Sequence, residues 1–199
     1  MFLIYPIIAA VVIGLLLGGR PSNLGRVQLR WSAAIAAGMA IQVALFVEPV
    51  TARIGDLGPP IYIASSLLVL AAVIRNWRLP GLAILAVGAA SNLAAILANG
   101  GYMPASPEAL AALTRGDSDV YSNSAMMGSP MLAPLTDIFA MPAWVPFANI
   151  FSIGDVLIGI GVATTIVLGM LGRVDPWNDM TPASPDPASP AAVGGAWTH

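Results

Sequence analysis

Residues Asn149 to Arg173 read NIFSIGDVLIGIGVATTIVLGMLGR. From Phe151 to Leu171 this run holds a single charged residue, Asp155. A helix needs about 20 apolar residues to cross a hydrocarbon core, so the run reads as a membrane-spanning helix. The acid sits about one turn inside its leading edge. It is either a group that works within the bilayer or part of the helix start.

Four other stretches carry the same pattern: Phe2–Gly19, Trp31–Val47, Pro60–Ile74 with an extension to Trp77, and Gly81–Ala98. Unpaired backbone groups are too costly in lipid for anything but helices or closed barrels. The expected fold class is therefore all-α: a polytopic transmembrane bundle of five helices, with a structured, partly helical outer segment between the fourth and fifth. The expected spans are about 2–19, 31–47, 60–77, 81–98 and 151–171. They make a transmembrane domain over 1–173, with the outer segment at 99–150. A tail, 174–199, reads as disordered or partner-bound: it is rich in Pro and Ala and repeats PASP.

Composition agrees. The chain is 57% hydrophobic and 9% charged, whereas soluble domains carry about 25% charged residues. There is no cysteine, and the one histidine is His199. Disulfides, thiolate nucleophiles, Cys-ligated metals and membrane-embedded imidazole ligands are thereby excluded. No metal site and no cofactor held by protein ligands is expected; lipid, quinone or pigment would be met by packing only. A net charge of −2 gives no field for nucleic acid.

All eight basic residues are arginine. Arg20, Arg26, Arg30, Arg75, Arg78 and Arg173 fall on one side of a five-span chain, and Arg53 and Arg115 on the other. Basic loops stay cytoplasmic, so the N-terminus is expected outside and the tail inside. Nothing basic precedes the first span, the reverse of a cleaved signal sequence. Arg20, Arg26 and Arg30 are candidates for lipid headgroups, although topology alone accounts for them. Small residues four apart (Gly14 and Gly18, Ala34 and Gly38, Gly159 and Ala163) suggest close helix packing.

The outer segment opens with NGGYMP, where Asn99-Gly100-Gly101 should end the fourth helix. Ser106, Pro107 and Glu108 begin a short helix, roughly Pro107–Arg115. Asp117 and Asp119 lie in a polar turn that lacks a full calcium loop. Pro130, Pro134, Pro142 and Pro146 forbid a sixth span. Short helical pieces are expected there, one of them near Leu135–Met141 and dipping between the helices. Tyr102, Phe139, Trp144 and Phe147 are interface candidates. The segment is either a lid on its own bundle or a surface for a partner.

For Asp155 the helix-start reading makes Asn149 and Ser152 its caps. The functional reading makes it an ion or polar site with Asn92, Asn149 and Asp137. Gln42 and Ser91 are further companions. Asn92 and Asp155 lie at similar depth, so a hydrogen bond between them is geometrically reasonable.

NGGYMP (99–104), NIFSIGDVLIGIG (149–161) and the first-loop run GGRPSNLGRVQLRW resemble an uncharacterised family of small bacterial polytopic membrane proteins, a domain of unknown function. The resemblance implies a multi-pass protein of the bacterial inner membrane and assigns no activity to any residue. No catalytic residues are expected. The function expected is a non-catalytic membrane subunit or scaffold, surrounded by lipid and other membrane protein subunits. The alternative is a small transporter or ion-coupled permease using Asp155 and Asn92. A membrane enzyme is the least supported: Glu108, Asp117, Asp119 and Asp137 show no metal-site spacing.

Overall fold

A computed structural model describes residues 2–113, 124–126 and 128–174. The sequence readings at Arg115, Asp117, Asp119, His199 and the tail beyond Val174 lie outside them. The described chain is mostly helical. Its helices are α1 (Ile4–Leu16), α2 (Ser32–Leu45), α3 (Glu48–Ile54), α4 (Gly58–Arg75), α5 (Leu82–Ala98), α6 (Pro107–Leu113) and α7 (Ile153–Met170). Short strands β1 (Met103–Ala105), β2 (Ser124–Met126), β3 (Phe139–Ala140) and β4 (Ile150–Phe151) lie between α5 and α7. Among the described residues, two helices are long and apolar enough to cross a membrane, Ala52–Arg75 and Ile153–Met170. The helices Ile4–Leu16, Ser32–Leu45 and Leu82–Ala98 are apolar but shorter.

The helices pack in the order α2, α4, α5, α7, α1, each against the next. Neighbours in this order run antiparallel except α7 and α1, which are parallel. The N-terminal ends of α1 and α7 meet through stacked Phe2 and Phe151, 4.5 Å between ring centroids. The C-terminal ends of the same two helices meet where the Arg20 N–H donates to the Met170 carbonyl at 2.8 Å. Asn76, just past α4, holds the backbone of Arg30, just before α2. Gly101, just past α5, packs on Pro59 at the start of α4. One end of the molecule thus carries the loops 17–31 and 76–81 and the exit of α7; the other carries α3 and the described residues between 99 and 152.

Glycine sets the closest contacts. Gly81 and Gly88 of the α5 segment face Gly161 and Gly154 of α7. The seven-residue spacing on both antiparallel elements keeps the two pairs in register. A Cβ on Gly88 would sit 2.5 Å from the Gly154 carbonyl oxygen, and one on Gly161 would sit 2.7 Å from the Gly81 carbonyl oxygen. Gly38 packs on α4 at Val69 and Gly159 on Pro6 of α1. Gly14 meets Met170, but Gly18 faces open space with φ +82°. The Gly14–Gly18 pair is therefore not a packing face: Gly18 is a turn residue where α1 has already ended, and the reading of four-residue spacing there is corrected.

The long α5–α7 connection also departs from expectation. Leu135–Met141 is not helical. A single 3₁₀ turn spans Ala133–Leu135, and β3 then pairs antiparallel with β4, Phe139 opposite Phe151 and Ala140 opposite Ile150. The physical reason is proline: Pro134 and Pro142 leave too few residues for a stable helix, and Pro142 steers Met141 to extended backbone. β1 pairs with β2 in parallel. Another difference precedes α4. The residues between the expected spans 31–47 and 60–77 are helical almost throughout, as α3 and a 3₁₀ turn at Gly55–Leu57. Pro59 and Pro60 do not break it because they fall in the first turn of α4, where N–H groups have no helical partner.

Candidate functional site

The start of α7 is built as a capping box. Ser152 is in extended conformation at the N-cap, and its Oγ accepts from the Asp155 backbone N–H at 3.1 Å. The Asp155 carboxylate answers by accepting from the Ser152 N–H through Oδ2 at 3.0 Å. Two of the unpaired N–H groups that every helix start leaves are thus satisfied. The negative charge also lies at the positive end of the helix.

α5 completes the arrangement through Asn92. Its Nδ2 donates to Asp155 Oδ1 at 2.8 Å, and its Oδ1 accepts from Ser152 Oγ at 2.8 Å. Both carboxylate oxygens, the serine hydroxyl and both ends of the amide are therefore engaged within three residues. Ser152 is fully buried, while Asn92 and Asp155 are half-buried. Gly88 and Gly154 permit this closeness, since a Cβ at Gly154 would collide with the Asn92 amide oxygen. The α5–α7 seam and the polar knot are one structure: the glycines bring the backbones together, and the knot sits where they meet.

The remaining sequence candidates are dispersed. Asn149 is not a cap; its carbonyl accepts from the Met141 N–H at 3.0 Å, while Ser152 holds the cap position. Asp137 is buried, and its backbone pairs with Pro104 and Ser106. Gln42 turns to α4 and donates to Ser66 Oγ at 3.2 Å. Tyr102 is half-buried after α5. Phe139 stacks on Phe151, 5.5 Å between centroids, and remains partly exposed. Trp144 is 84% exposed and Phe147 is exposed with φ +57°. Arg20, Arg26 and Arg30 are exposed. Among the described residues, no three His, Cys, Asp or Glu side chains stand together as a metal site would require.

Sequence reasoning missed two asparagines. Asn99 clamps the α5–α7 connection to α5: its Nδ2 donates to the Ala95 and Met131 carbonyls, at 2.8 and 2.9 Å, and its Oδ1 accepts from the Met131 N–H. Asn76 is fully buried and bonds Arg30 and Ala72. The signal was an amide directly after each apolar run, but nothing local shows that its partner lies 32 or 46 residues away. Tyr5 adds a further tie by donating to the Pro146 carbonyl. With the Phe2–Phe151–Phe139 stack, these bonds hold residues 131–151 over the ends of α1, α5 and α7.

A family model described as a family of unknown function, DUF5317, matches residues 26–167. No curated protein matches the chain, and neither does any solved structure.

Proposed function

Because the chain belongs to DUF5317, a family of unknown function, its role must be read from its own residues, and we propose that it is a non-catalytic integral membrane subunit or scaffold. In this reading α1, α2, α4, α5 and α7 cross the bilayer, the arginine-bearing end is cytoplasmic, and segment 99–150 lies on the outer side of a bacterial inner membrane. The observation that carries it is the inverted surface. Ile8 and Leu16 on α1, Val43 on α2, Leu67 on α4, Val87 on α5 and Ile160 on α7 are all exposed, while the polar side chains Asn92, Ser152 and Gln42 are turned onto neighbouring helices. Water tolerates no such apolar area on a monomer; lipid does, provided polar groups are satisfied inside. α1 and α2 are short of the full hydrocarbon thickness, a mismatch that local thinning of the bilayer accommodates at modest cost.

The scaffold reading rests on what the acid does. Asp155 spends both carboxylate oxygens on a helix start and a helix–helix contact, which is structural work. Extraction of the native membrane in mild detergent, followed by native electrophoresis and mass spectrometry, is the test. The chain is expected to migrate with other membrane subunits; a lone small particle under every mild condition would contradict the reading. Flux dependent on Asp155 in proteoliposomes would favour transport instead.

A further inference from the structure

We infer that the hairpin joining β3 to β4 is a wedge that inserts Trp144 and Phe147 into the outer leaflet of the lipid bilayer, beside the start of α1. This rests on the membrane-spanning reading above. The hairpin is stiffly built. The Met141 N–H donates to the Asn149 carbonyl at 3.0 Å and so continues the β3–β4 ladder. Two turns then shape the tip: the Val145 N–H donates to the Pro142 carbonyl at 2.9 Å, and the Ala148 N–H to the Val145 carbonyl at 3.1 Å. Ala148 and Ile150 are buried and fix the base to the fold, while Trp144 and Phe147 are exposed. Phe147 is held in left-handed backbone at φ +57°, a conformation unfavourable for a bulky L residue. Strain that keeps a phenyl ring outside the core is offset only where something other than water covers the ring.

The depth of the tip follows from Tyr5, the second residue of α1, whose hydroxyl donates to the Pro146 carbonyl. α1 has 13 residues and so spans about 20 Å, against about 30 Å of hydrocarbon. Its first turn therefore does not stand clear of the bilayer, and a tip pinned to that turn lies at headgroup level rather than above it. Ile8 and Ala9, one turn on from Tyr5 and beside it on the helix surface, are exposed. The tip thus adjoins helix surface that the spanning reading gives to lipid. Its chemistry agrees. From Ile138 to Phe151 there is no charged residue, and Asn149 is the one polar side chain. Pro142 and Pro146 have no N–H to offer, and the carbonyls of Pro142, Val145, Pro146 and Asn149 accept bonds within the fold. Such a tip gives a protein partner no charged rim on which to orient. Lipid needs none, since aromatic rings settle at headgroup level by their own amphipathic character.

The test reconstitutes the full chain into phosphatidylcholine vesicles, with Trp31→Phe, Trp77→Phe, Trp177→Phe and Trp197→Phe leaving Trp144 as the one indole. Phosphatidylcholine brominated near the headgroup end of its acyl chains should quench most of the Trp144 emission. Iodide on both sides of the membrane should quench little of it. Strong quenching by iodide with none by the brominated lipid overturns the inference. Shielding from both also overturns it, and would mean that a second copy covers the tip. A spin label on Ala143→Cys, in a chain that has no other cysteine, repeats the measurement without the tryptophan changes. Ala143 is exposed, so its label should collide with oxygen more than with a water-soluble nickel chelate; the reverse order overturns the wedge. Alkaline carbonate extraction of the same vesicles reads the spanning separately. A chain stripped off by carbonate overturns both readings, whereas a chain that stays while iodide reaches Trp144 overturns only the wedge.

Discussion

At the scale of single residues, the acid in the last long helix is explained by its neighbours. Ser152, Asp155 and Asn92 form a closed set of hydrogen bonds, and none can be changed without orphaning another. Ser152→Ala removes the cap and strands the Asn92 oxygen, so a loss of about 1–2 kcal/mol is expected. Asp155→Asn keeps the shape but exchanges one acceptor for a donor, which then faces either the Ser152 N–H or the Asn92 amide; roughly 1 kcal/mol should be lost. Unfolding in mixed detergent micelles measures both. In a double-mutant cycle, Ser152→Ala and Asn92→Ala should be non-additive by about 0.5 kcal/mol or more, because they share a bond. Strict additivity would mean that the knot is not formed. The contact between Asn92 and Asp155 was legible from the sequence, since both lie at similar distances from the same end of their helices. The role of Ser152 as donor to Asn92 was not legible, because it depends on the rotation of α5, which is set by its glycine contacts with α7.

At the scale of elements, apolar runs were read well and their connections poorly. The stretches expected at 2–19, 31–47, 60–77, 81–98 and 151–171 appear as α1, α2, α4, α5 and α7, each within a few residues at either end. Hydrophobic length carries that signal directly. The α3 helix and the β3–β4 pairing carry no such signal. The pairing joins residues across Pro142 and Pro146 through backbone groups that any sequence possesses. The α5–α7 seam was also missed: the four-residue small-residue pattern was sought, but the contacts repeat every seven residues, at Gly81 and Gly88 against Gly161 and Gly154. Gly88→Ala should therefore cost about 1–3 kcal/mol by overpacking, read as a lowered midpoint in the same micelle unfolding. Gly25→Ala, where a Cβ meets nothing within 4 Å, should leave the midpoint unchanged.

At the scale of the whole molecule, two features coincide: among the described residues, six of the seven arginines lie at one end and the five acids, with Arg53, at the other, and the helices between expose large apolar side chains. In the proposed reading a bilayer accounts for both at once, with basic loops retained on the cytoplasmic side. That reading specifies which loops share a compartment. The chain contains no cysteine, so single cysteines can be placed without background. The direct measurement is labelling of Gly25→Cys and Gly128→Cys in intact cells with a membrane-impermeant maleimide; a Cβ at either glycine meets nothing within 4 Å. Gly128→Cys should react at once, and Gly25→Cys only after the membrane is permeabilised. Reaction of both from the same side would contradict the five-crossing arrangement.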